Sequence, residues 1–242
     1  IDVDEGDAVF DLELMGEKLF VAGNFSDIDS IGPSYMAQID TRGGGSFTDW
    51  IAGPDGVVNA VAVGGSQVAV GGSFANVSVL TRNNAAAFDL QSGAVRNWNP
   101  DVDGPVLAIT SRNDGPATIY LGGNFANANV AVNSQGRSAI CAVDSSGSLT
   151  TWNPGSDNRV LALAYHNGKV YAGGEFTNIG GAGSNALMEA LDADTDTDNA
   201  DTTDFNPSFS GDGGSGVYAL RLSDDLTHIF VGGNFKVPTA HI

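Results

Sequence analysis

Five stretches of this chain are variants of one another, and their spacing restricts the fold more than any other feature. They read Val21-Ala22-Gly23-Asn24-Phe25, Val70-Gly71-Gly72-Ser73-Phe74, Leu121-Gly122-Gly123-Asn124-Phe125, Ala172-Gly173-Gly174-Glu175-Phe176 and Val231-Gly232-Gly233-Asn234-Phe235. Their Phe residues lie 49, 51, 51 and 59 residues apart. Such a period marks a repeat architecture, in which a unit cannot bury its own faces and neighbours must stack.

Each unit has the same four parts. An apolar run opens it, as in Val58-Asn59-Ala60-Val61, Val106-Leu107-Ala108-Ile109 and Val160-Leu161-Ala162-Leu163. A turn follows, and Asn167-Gly168 between apolar runs signals a tight hairpin. The second run carries the double glycine and is apolar on both sides, as expected of a strand packed on two faces. Its glycines predict close backbone approach or a bulge, with the Phe filling the space they leave. The third run closes on Asp40, Asp89, Asp144 or Asp192, which is expected to cap the Gly/Ser-rich turn after it. The fourth ends in Trp50, Trp98, Trp152 or Phe205, and the last three are followed by Asn-Pro, which suits an outer edge strand. No amphipathic helical stretch interrupts this order.

Four short strands per unit predict an all-β fold, a β-propeller of four-stranded blades forming one domain. The blades fall near residues 9–57, 58–105, 106–159 and 160–216, with a partial fifth over 217–242. A parallel β-helix is the competitor, and the hairpin turns argue against it. Ile1 to Gly6 resembles Asp101-Val102-Asp103-Gly104, the tail of a unit, and the fifth unit stops after its second strand. The expectation is a piece of a longer chain, or a ring completed by strands from both ends.

Charge narrows the partners. The formal net charge is −19, with 24 Asp against 5 Glu and only Lys18, Lys169 and Lys236 as lysines. Such a field repels nucleic acid and anionic membrane surfaces, and no apolar run is long enough to insert in a bilayer. The Asp excess either decorates surface turns or suits a chain that binds calcium or lives in salt. Cys141, the one cysteine, lies in an apolar strand and reads as a small core residue, so no disulfide framework exists.

The local anomaly is the acidic run from Asp192 to Asp204. Its alternating Asp192, Asp194, Asp196 and Asp198 are candidate calcium ligands, because hard cations take several carboxylate oxygens. The run lacks the Gly and the Glu of an EF-hand loop, and the competing reading is a solvated insertion. The residue before each Phe (Asn24, Ser73, Asn124, Glu175, Asn234) would recur around a ring axis, lining a channel or satisfying its own turn. His166, His228 and His241 share no spacing that suggests a metal or a catalytic role. Trp50, Trp98 and Trp152 read as interior packing before sugar stacking. The structural signature is therefore Gly23, Phe25, Gly72, Phe74, Gly123, Phe125, Gly174, Phe176, Gly233 and Phe235, with the three Trp.

These residues resemble the delta-60 type bacterial β-propeller repeat. Val170 to Phe176, Gly180-Gly181 and Trp152 to Leu163 match its pattern, and Arg82 and Arg137 match its Arg seven residues before the closing Asp. Pro33 and Asn185 stand at that place in the first and fourth units, which depart most. The resemblance implies large secreted or surface-anchored proteins, and similar propellers occur in fungal cortical polarity proteins. It implies no shared catalytic residue. The functional expectation is a non-catalytic binding or adhesion module, extracellular or at the cell surface. Its protein or glycan ligand would meet loops 26–35, 75–84, 126–137 and 177–186. The alternatives are a polysaccharide hydrolase or lyase, which needs paired acids across a pocket, and a structural spacer or self-assembling subunit.

Overall fold

Alternating apolar runs joined by two-residue turns fold here into a series of antiparallel sheets. The computed structural model describes residues 6–28, 32–112, 114–115, 117–128, 135–180, 187–194, 207, 209, 211 and 214–237. The chain is all-β, and no α-helix occurs among the described residues.

The first unit pairs β1 (Ala8–Met15), β2 (Lys18–Asn24), β3 (Met36–Asp40) and β4 (Ser46–Phe47) in that order. The second contains β5 (Val57–Gly64), β6 (Gln67–Ser73), the small hairpin β7 (Asn76–Val77) and β8 (Leu80–Thr81), and β9 (Ala85–Asp89). The third repeats this with β10 (Val106–Arg112), β11 (Thr118–Gly123), β12 (Asn127–Ala128), β13 (Gln135–Gly136) and β14 (Ile140–Asp144). The fourth has β15 (Val160–His166), β16 (Lys169–Gly174) and β17 (Met188–Asp192), and the fifth has β18 (Gly216–Leu222) and β19 (Ile229–Asn234). The double-glycine strand is central in each three-stranded sheet, as its two apolar faces require.

The glycines do two different jobs. Each first strand skips one residue in its register opposite the glycine pair, between Val58 and Ala60 in the second unit and at the matching place in the other four. This bulge brings a carbonyl against the second glycine: a Cβ on Gly72 would lie 2.1 Å from the Val57 oxygen and 3.0 Å from Phe74 Cδ1. The Phe ring thus covers the glycine, as expected. The first glycine faces the next unit, and a Cβ on Gly71 would lie 2.3 Å from Val106 Cγ1.

Successive units bury their faces against each other. One core cluster joins Phe20, Ala22 and Trp50 of the first unit to Val58, Val61 and Phe88 of the second. Matching clusters join the second unit to the third and the third to the fourth. Cys141 lies buried in such a cluster, and burial pushes its thiol up to about 12. The fourth run is shorter than expected. It forms β4 in the first unit but only isolated bridges, Phe88 to Val95 and Val143 to Leu149, in the next two. Trp50 and Trp152 pack edge-on against Phe20 and Tyr120 of their own sheets, at 5.2 and 5.0 Å.

Candidate functional site

Much of the acidity is built into the fold. In each of four units an Asp ahead of the first strand accepts backbone N–H groups from the turn after the Phe. Asp7 takes Ser26 N, Asp55 takes Ala75 N and Asn76 N, Asp103 takes Ala126 N and Asn127 N, and Asp157 takes Thr177 N and Asn178 N. A second set follows the third strand, where Asp40 takes Arg42 N, Asp89 takes Ser92 N, Asp144 takes Ser146 N and Asp192 takes Asp194 N. These are the expected caps.

Of the calcium candidates, Asp192 lies 3.8 Å from Lys169 Nζ, and Asp194 is held by Arg112. Arg112 also pairs with Asp114 at 3.0 Å and sits 5.7 Å above the Tyr165 ring. Asp194 therefore serves a cross-unit ion cluster. Asp196 and Asp198 lie outside the described residues. No group of three or more His, Cys, Asp or Glu placed to hold a metal occurs among the described residues.

The three Trp are buried, and each indole N–H donates to the carbonyl that closes the next unit's third strand. Trp50 reaches Asp89 at 3.1 Å, Trp98 reaches Asp144 at 2.9 Å and Trp152 reaches Asp192 at 2.8 Å. Trp50 stands edge-on between Phe20 and Phe88, at 5.2 and 5.4 Å. These indoles have no face left for a sugar.

The first strands of all five units border one cavity of about 660 Å³. Asp11 and Glu13 line it, at places where the other units carry Ala60 and Ala62, Ala108 and Thr110, Ala162 and Ala164, or Ala219 and Arg221. Asp11 accepts Val61 N at 2.8 Å, and Glu13 accepts the Val63 N–H. Burial pushes both carboxyls up; the charge of Asp11 raises Glu13 further, and Arg221 opposes this. Both acids lie on one strand and cap the inner edge of β5, so they do not face each other across the cavity. Asn24, Ser73, Asn124, Glu175 and Asn234 are not among its lining residues.

These two sets of acids titrate in opposite directions. Asp55, Asp103, Asp144 and Asp157 sit below the usual carboxylate range because backbone and side-chain donors outweigh their desolvation. Their stabilisation is present above the unfolded Asp value of about 4 and is lost as pH falls through the lower folded values. Asp11 and Glu13 sit above that range, so protonating them on the way down from neutrality adds stability. The melting temperature is expected to rise as pH falls from neutrality toward the unfolded carboxylate values of about 4 and to fall below them. The double variant Asp11→Asn with Glu13→Gln, followed by calorimetry across that range, is expected to lose most of the rise and keep the fall. An unaltered rise would remove these two acids from the explanation.

The loops after the Phe have a common anchor and different tips. The residue three places beyond the Phe in each of the first four units (Ile28, Val77, Ala128 and Ile179) is buried. Hairpins β7–β8 and β12–β13 grow from this anchor at the same place in consecutive units. The second unit's turn carries Ser78 with φ 53°, and Ser78 N donates to Gly53 O at 2.7 Å. At its tip Val79 is 95% exposed, with Leu80 exposed beside it. This apolar tip had no sequence signal beyond its place in a loop.

No family model matches the chain, and no curated protein matches it. Solved structures do. The computationally designed Ika8 protein aligns with a TM-score of 0.54 at 14% identity, over 93% of this chain and 55% of that one. The extracellular domain of the one component system BT4673 from B. thetaiotaomicron aligns with a TM-score of 0.54 at 12% identity, over 95% of this chain and 26% of that one. The chain thus spans about half and about a quarter of these two structures' lengths, and the likeness concerns the fold alone. No helix among the described residues is long and apolar enough to cross a membrane.

Proposed function

We propose that the five units are blades of a β-propeller that acts as a non-catalytic protein-binding module outside the cell or at its surface. The five first strands around one cavity and the repeated stacking favour the propeller arrangement. The repeat resemblance and the acidic charge favour the location. The observation that carries the binding role is the exposed Val79–Leu80 tip, held on a hairpin whose root is buried. Solvated aliphatic groups at a rigid, anchored turn gain by entering an apolar pocket at little ordering cost. With the Trp indoles buried, the tip suits a protein partner over a glycan, and the net charge suits a basic one.

The test is a binding panel of extracellular matrix proteins, basic secreted proteins and glycans, run with the native chain and with Val79→Asp plus Leu80→Asp. The expected result is a protein ligand whose affinity falls at least about tenfold in the variant, as for a buried interface anchor, with the melting temperature unchanged. Equal binding by both chains would exclude the tip. Binding only to glycans would sink the proposal.

A further inference from the structure

The interfaces inside the chain repeat one arrangement. One unit presents small residues around its double glycine, and the next inserts two aliphatic side chains from its first strand. A Cβ on Gly71 would meet Val106 and Ile109 at 2.3 and 2.9 Å. One on Gly122 would meet Val160 and Leu163 at 2.7 and 3.2 Å, and one on Gly173 would meet Val217 and Leu220 at 2.4 and 3.4 Å. At the first interface Ala22 stands in the glycine's place, clustered with Val58 and Val61.

The first and fifth units carry the two unmatched halves of this arrangement. Val9 pairs with Gly23 and Leu12 with Val21, as Val58 pairs with Gly72 and Val61 with Val70. Val9 and Leu12 are thus the inserting pair of the first unit, yet they are 37% and 53% exposed. At the other end Gly232 has the place of Gly71, and a Cβ there would meet only Ala219 Cβ, at 3.7 Å. Phe230, two residues before it, is 63% exposed. The strands β1 and β18 border the same cavity, through Leu12 and Glu13 on one side and Ala219 to Leu222 on the other, and Arg221 acts on Glu13. Neighbouring units pack their first strands together, but β1 and β18 share no comparable contact.

We propose that the gap between β1 and β18 is a docking site for one further antiparallel unit of the chain's own repeat pattern. Its first strand would set a Val-x-x-Leu or Val-x-x-Ile pair on Gly232, and its small-residue face would receive Val9 and Leu12. Continuity with the internal interfaces identifies the occupant. This rests on the interfaces and not on the binding role proposed above, so a failed ligand panel leaves it intact.

The test extends the full chain after Ile242 with a flexible Gly/Ser linker and a second copy of residues 106–159. That added unit supplies Val106 and Ile109 on one face and Gly122 on the other. Docking is expected to raise the melting temperature by roughly 5 °C or more, the scale of a few kcal/mol in a domain of this size, and to lower the fluorescence of a dye that reports exposed apolar surface. The same extension with Val106→Asp and Ile109→Asp in the added copy is expected to give neither change. Identical behaviour of the two extended chains overturns the proposal. So does a native chain that sediments as a dimer and returns to monomer with Leu12→Asp, which would assign the surface to a second copy.

Discussion

Replacing Gly72 with alanine is expected to destabilise the chain by about 3 kcal/mol, the upper range of forced overpacking, while Gly232→Ala changes stability by no more than about 0.5 kcal/mol. The difference lies in what each new methyl group meets. At Gly72 it would lie 2.1 Å from the Val57 carbonyl oxygen, a backbone atom fixed by the bulge of β5, and 3.0 Å from the Phe74 ring. Neither can yield unless the hairpin opens. At Gly71 the obstacles are the side chains of Val106 and Ile109, and the first interface already accommodates Ala22 at that place. Gly71→Ala is therefore expected to cost less than Gly72→Ala. At Gly232 the methyl group would meet only Ala219 Cβ, at an unstrained 3.7 Å. Urea unfolding followed by circular dichroism ranks the three. Equal, small losses at Gly72 and Gly232 would refute the close approach at the bulge.

The pattern of strands was legible because it is local. Two apolar faces placed the double-glycine runs in sheet centres, as β6 and β11 show, and Asn167-Gly168, with φ of 47° and 74°, made the hairpin its composition announces. The caps by Asp89 and Asp144 were legible for the same reason. What depends on neighbours was not. The run containing Val9 and Leu12 reads like that of Val58 and Val61, yet one is exposed and the other buried, because apolar periodicity records a face and not what covers it. Asp11 and Glu13 did leave a signal, acids where the other units carry Ala60 and Ala62 or Ala162 and Ala164, visible only when units are aligned on their glycines. The Trp at the end of each fourth run pointed to strand packing, but its reach into the next unit needs three dimensions.

That reach makes Trp98 the second large lever. Trp98→Ala is expected to cost about 4 kcal/mol, as for other buried large aromatics, and Trp98→Phe about 1 to 2 kcal/mol, the scale of one lost hydrogen bond to a buried carbonyl. By sequence Trp98 belongs to the second unit, but its cluster takes in Val106, Ile109 and Ile119 of the third, and its N–H ends on Asp144 there. Removing it weakens an interface more than either unit. Units of some 50 residues are marginal alone, and in a stacked series the interfaces carry the coupling. Trp98→Ala is thus expected to broaden or split the urea transition as well as shift it, so the slope with denaturant falls together with the midpoint. Asp103→Ala, which removes a cap inside one unit, is expected to shift the midpoint and leave the slope alone. If both variants kept the native slope, cooperativity would reside within the units, and stacking would add stability without linking them.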